Sequence, residues 1–150
     1  MGHINVLFYD KNEKDAADFK RKQQEYLQQR GSDSTRVIHT ASSLAEVEAR
    51  LQENKYLIVA IFDAYEGNIY DPHALAAAKL VQTHSRPQEG QDFHQRRILL
   101  LRDEQDLTEA VAEAVTEGVV PLFKRNGNVA TRLEEIMNGA EFYGFQLVGR

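Results

Sequence analysis

The amino-acid sequence predicts an α/β protein, a three-layer sandwich around a five-stranded parallel sheet, and three observations carry that prediction. Five short apolar runs recur, "INVLFY", "TRVIHT", "YLIVAIF", "RILLL" and "VVPLF". Helical patterns separate them. The third and fourth runs are almost continuously apolar instead of alternating, as central parallel strands are when helices cover both faces. Short βα units in this order pack through right-handed crossovers.

The first strand, Ile4 to Tyr9, stops at Asp10 and is followed by a helix over Asp15 to Arg30, whose Ala16, Phe19, Gln23 and Leu27 share one face. After the second strand, Ser43 and Glu46 stand at capping-box spacing, and Leu44, Val47 and Leu51 recur at helical intervals. The third strand ends on Asp63. Its helix opens at Asp71-Pro72, where the aspartate accepts first-turn amides and proline fits the first helical position. A long polar segment, "SRPQEGQDFHQRR", leads to the fourth strand and reads as a mobile loop. The fourth helix, "DLTEAVAEAVTEG", sets Leu107, Val111 and Ala114 or Val115 inward and stops at Gly118. A fifth helix is expected from about Asn128 to Met137, with Val129, Leu133 and Ile136 inward.

These elements make one domain over 1–150, with residues 138–150 as an extension. That extension carries Phe142, Tyr143, Phe145 and Leu147, which either finish the core or form a contact surface. With 42% hydrophobic residues the chain can bury a core of its own. A net charge of -5 argues against non-specific binding to nucleic acid or anionic membrane, both of which need surplus lysine and arginine. Without cysteine there is neither a disulfide framework nor a thiolate metal site. No apolar run approaches the roughly 20 residues that span a bilayer, and Gly2 follows Met1 without a signal-like start, so a cytoplasmic setting is expected.

In an open parallel sheet, ligands gather at the carboxyl ends of the strands. There the sequence places Asp10, Asp63, the pair Arg102 and Asp103, and Lys124. Two carboxylates and a lysine at one sheet edge suit a divalent cation and a phosphoryl group. The five histidines show no metal-site spacing, and "KRK" at Lys20 to Lys22 reads as a wet helix face. No glycine-rich phosphate loop appears, since "RNGNVATR" lacks the spacing of one.

Three pieces of the chain resemble the receiver domains of two-component response regulators. "YDKNE", Tyr9 to Glu13, is similar to the "VDDNE" with which receivers commonly begin, Asp63 closes "YLIVAIFD" where the family has its phosphoacceptor, and Lys124 ends "GVVPLFK" like the family's lysine. The resemblance implies a flavodoxin-like, receiver-like topology and the absence of enzymatic turnover. It further implies Asp63 as phosphoacceptor, Mg²⁺ held by Asp10, Asp63 and the Tyr65 carbonyl, and Lys124 paired with the phosphoryl oxygens. A histidine kinase or a downstream effector would be the partner, with a homodimer as a further option.

The chain departs from that pattern at named positions. Lys11 replaces the second acid, which lowers the expected Mg²⁺ affinity and makes Lys11 a modifier of the pocket: its ammonium either lies between Asp10 and Asp63 or points away. Arg102 and Asp103 stand where a receiver has a Thr or Ser hydroxyl. Pro121 lies near the position of its switching aromatic, and Arg125 follows the lysine in place of a proline. The expectation is a receiver-like module that signals by protein contact with an altered pocket. The alternatives are a working single-domain regulator phosphorylated on Asp63 and a small flavodoxin-like ligand-binding protein or enzyme.

Overall fold

The computed structural model describes residues 3–30, 35–53, 57–66, 69–84, 96–102, 108–123 and 131–139. The strands β1 (His3–Tyr9), β2 (Thr35–Ala41) and β3 (Leu57–Asp63) are followed by a short hairpin, β4 (Tyr65–Glu66) with β5 (Ile69–Tyr70), and then by β6 (Arg96–Leu101) and β7 (Val120–Phe123). The helices are α1 (Glu13–Arg30), α2 (Leu44–Glu53), α3 (His73–His84), α4 (Thr108–Thr116) and α5 (131–139).

All five long strands run parallel in the order β2-β1-β3-β6-β7, the doubly wound order of flavodoxin-like folds. Period-two alternation divides their side chains between two cores. Leu7, Tyr9, Ala60, Phe62, Leu99 and Leu101 pack with α2, α3 and α4, while Val6, Phe8, Val59, Ile61, Ile98 and Leu100 pack with α1 and α5. The sheet is therefore covered on both faces, which is why β3 and β6 read as unbroken apolar runs.

The ends of the helices follow local chemistry. Helix α1 begins at Glu13, two residues before the expected Asp15, because Asn12 Oδ1 accepts the N–H groups of Lys14 and Asp15 at 3.0 and 3.3 Å. In α2, Ser43 Oγ accepts the Glu46 N–H at 3.2 Å, while Glu46 Oε2 accepts that of Ser42 at 3.0 Å, so the capping box closes one residue early. Helix α4 is closed by Gly118, two residues past its last turn, whose φ of 74° permits the Val119 N–H to reach back to the Ala114 carbonyl at 2.8 Å.

Three expectations shift. Arg96, expected in the loop before the fourth strand, already belongs to β6 together with Arg97, and Arg97 Nη2 donates to the Glu117 carbonyl at 3.0 Å, tying the strand to the end of α4. Asn138, expected to open the C-terminal extension, lies in α5 and accepts a hydrogen bond from Arg36. The connection from Asp63 to the third helix, where none of the five expected strands falls, contains the β4–β5 hairpin. Leu107, Val129 and the aromatic residues after 139 lie outside the described residues, as do 85–95 of the polar segment.

Candidate functional site

Asp10 and Asp63 meet at the carboxyl edge of the sheet. Tyr9 pairs with Phe62 in the β1–β3 register, so the next step along both strands brings the two acids side by side. Counting in twos from Val6 and Phe8, and from Val59 and Ile61, puts both on the α1/α5 face. There they line one cleft of about 290 Å³ with Phe8, Phe19, Leu100 and Leu133, and with Asp15, Asp18 and Lys22 of α1. Only 3% of Asp10 and 6% of Asp63 is exposed. Each carboxylate fixes its own loop: Asp10 Oδ1 accepts the Asn12 N–H at 2.9 Å, and Asp63 Oδ1 accepts the Tyr65 N–H at 3.0 Å.

Lys11 follows Asp10 directly, and the alternation that turns Asp10 toward α1 turns Lys11 toward the opposite face. Its ammonium stands 3.8 Å from Glu66 Oε2 of the hairpin, with 45% of the side chain exposed. Of the two placements open in the sequence, the chain adopts the one directed away from the two acids. The contact joins the β1–α1 turn to the β3–α3 connection, and so much exposure makes it a weak tie.

Behind the hairpin the other face holds a buried pair. Tyr9 Oη donates to Asp71 Oδ2 at 2.8 Å, while Asp71 Oδ1 accepts the His73 N–H at 2.9 Å and so caps α3. Burial first, then the Asp71 carboxylate, pushes the Tyr9 phenol well above the usual tyrosine range. Tyr65 meets Tyr70 edge-on with ring centroids 6.0 Å apart, and the Arg102 guanidinium lies over the Tyr65 ring at 5.0 Å. Arg102 thus leans on the hairpin from the end of β6.

Sequence reasoning singled out Asp10, Asp63, Tyr65, Lys11 and Arg102, and the structure brings them to one sheet edge. Asp103, Lys124 and Arg125 lie outside the described residues. The hairpin was missed although Gly67-Asn68, standing as a two-residue pair between Tyr65-Glu66 and Ile69-Tyr70, is a recognised turn signal. The second role of Asp71, as partner of Tyr9, has no local signal, because the two residues are 62 positions apart. Among the described residues no set of three His, Cys, Asp or Glu is grouped closely enough to hold a metal ion. Two buried carboxylates nevertheless suit Mg²⁺, which keeps several waters and takes one or two protein carboxylates.

A scan against protein-family models matches none, and a search of curated proteins finds no match. Among solved structures, one described as a "probable two-component system response regulator/GGDEF domain protein" superimposes with a TM-score of 0.62 at 16% identity. The match covers 92% of this chain and 50% of that one, so the chain spans about half the length of its neighbour. At such identity the likeness is one of fold, and it shows that this chain has a receiver-like α/β fold.

Proposed function

We propose that the chain is a receiver-like signalling module that acts through contacts with other proteins, not by catalysis, and carries an altered phosphoacceptor pocket. One observation carries the reading: Asp10 and Asp63 share a buried, one-sided cleft at adjoining strand ends, while Lys11, in the place of a further acid, faces the other way. Asp10 and Asp63, with the Tyr65 carbonyl, would hold Mg²⁺, whose charge offsets the repulsion between a carboxylate and a phosphoryl donor. With one acid fewer, that affinity is low. A histidine kinase or a downstream effector suits the fold as partner, and the cytoplasm suits such a partner.

A second reading, a working phosphoacceptor, is favoured by the same cleft, which leaves both acids in place. In it an oxygen of Asp63 forms a bond to phosphorus as the donor's P–N bond breaks. The electron pair leaves on the imidazole nitrogen, which then takes a proton from solvent.

Beryllofluoride with Mg²⁺ separates the two, with the bound fluorides followed by ¹⁹F NMR. The altered-pocket reading expects no adduct in the wild type at millimolar Mg²⁺ and one in Lys11→Asp. A wild-type adduct that disappears in Asp63→Asn would sink it in favour of the second. No adduct in any variant removes Asp63 as a phosphoacceptor.

A further inference from the structure

Asp10 and Asp63 stand side by side and almost wholly buried, and two carboxylates so placed repel one another unless a cation compensates them. Lys11, the lysine nearest in sequence, does not do so, because its ammonium faces the hairpin and lies 3.8 Å from Glu66. Among the described residues that line the cleft there are four acids, Asp10, Asp15, Asp18 and Asp63, and one basic side chain, Lys22.

The run Lys20-Arg21-Lys22 is divided by the helix, on which successive residues stand about 100° apart. Lys20 carries its charge toward His39 of β2, and Arg21 meets Asp18 at 3.6 Å and Glu25 at 3.1 Å. Lys22 falls on the stripe formed by Asp15, Asp18 and Phe19, at helical spacings of seven, four and three, and that stripe lines the cleft. Helix α1 starts beside the carboxyl edge of the sheet and runs back along it, and helical side chains lean toward their own N-terminus. The stem of Lys22 therefore leans toward Asp10 and Asp63. Phe8 and Phe19, stacked 4.0 Å apart, and Leu133 offer its methylenes an apolar wall. The residue is exposed, and among the described residues no ion pair holds it elsewhere.

We propose that Lys22 is the resident cation of the Asp10–Asp63 cleft: its ammonium compensates the two buried acids when no divalent ion is bound and gives way to one that is. A point charge on a flexible four-carbon stem can take up both positions. Lys22 then sets the cation affinity of the cleft together with the missing acid at position 11. This rests on the reading of the cleft as a place for Mg²⁺.

The test uses the whole chain, isotope-labelled for NMR, with no phosphodonor. Without metal, Lys22→Met should shift the side-chain carboxyl carbons of Asp10 and Asp63 and lower the urea midpoint, and at least half of that loss should vanish in an Asp10→Asn background, where one acid remains to be compensated. Titration with Mg²⁺ should move the Lys22 ε-methylene signals of the wild type, and Lys22→Met should bind the ion about tenfold more tightly. Lys22→Arg should stay near the wild type. Lys20→Met removes the same charge from another side of α1 and should change the affinity less than about twofold, since exposed charges at a distance are screened. Equal Mg²⁺ affinity in wild type and Lys22→Met, or as large a gain in Lys20→Met, overturns the role of Lys22 and leaves the Mg²⁺ reading standing. Carboxyl carbons that do not move in metal-free Lys22→Met overturn it as well. Asp10 and Asp63 signals that Mg²⁺ moves in no variant overturn the Mg²⁺ reading, and the proposal with it.

Discussion

His39 shows how a single side chain on an outer strand ties folding to pH. It sits on β2 opposite Leu7, with Nε2 3.2 Å from Asn5 Oδ1. Burial, then the positive charges of Arg50 and Lys20, holds its pKa below the ordinary 6.5, with Glu53 opposing them. The unfolded chain thus binds a proton that the folded one refuses. Stability from this group is complete above about pH 6.5 and falls as pH drops from there toward the folded value. Urea unfolding from about pH 7.5 down to about pH 5 should show a falling midpoint in the wild type and a flatter one in His39→Gln; equal slopes would remove His39 as the cause. At this scale the acids of the site were legible, because a strand ending on aspartate is visible in one dimension. The direction of Lys11 was implicit in the period-two alternation from Asp10, but its contact with Glu66 depends on a hairpin that was not recognised.

Helices α1 and α5 are joined to β2 by one guanidinium. Arg36, its side chain fully buried, donates through Nη1 to Gln23 Oε1 at 2.8 Å and Glu134 Oε2 at 2.9 Å, and through Nη2 to Asn138 Oδ1 at 2.8 Å. Breaking a buried pair from one side leaves the other charge stranded, whereas removing both is far milder. Arg36→Met should therefore cost about 3 kcal/mol in chemical denaturation. Adding Glu134→Leu should recover more than half of that, and a coupling below about 0.5 kcal/mol would refute the pairing. None of this was legible: in "TRVIHT" the arginine looks like the polar member of an ordinary strand, and its counter-charge lies 98 residues onward. The strands and helices themselves were readable because packing on two faces writes itself into local apolar patterns. Their ends moved by a residue or two wherever a side chain such as Asn12 supplied an unforeseen cap.

For the molecule as a whole, the cleft is a place where ligand binding feeds into stability. A cation bound only by the folded state adds RT ln(1 + [L]/Kd), about 2.7 kcal/mol at a hundred times Kd. Millimolar Mg²⁺ should raise the melting temperature of Lys11→Asp more than that of the wild type, and adding Asp10→Asn should abolish the gain; equal rises in all three would place the ion elsewhere. The topology was legible at this scale, since alternating βα units leave few ways to wind a parallel sheet. The gathering of Asp10 and Asp63 followed from it. The two outer strands are also unlike one another. Pro121, paired with Leu99, takes one amide donor from the four residues of β7, while β2 is seven residues long, proline-free and exposes Val37. Proline blunts a strand as a template for further pairing. Growth of the sheet by an added strand, whether from a bound peptide or in fibril formation, is thus discouraged beside β7, and β2 is the side on which it would begin.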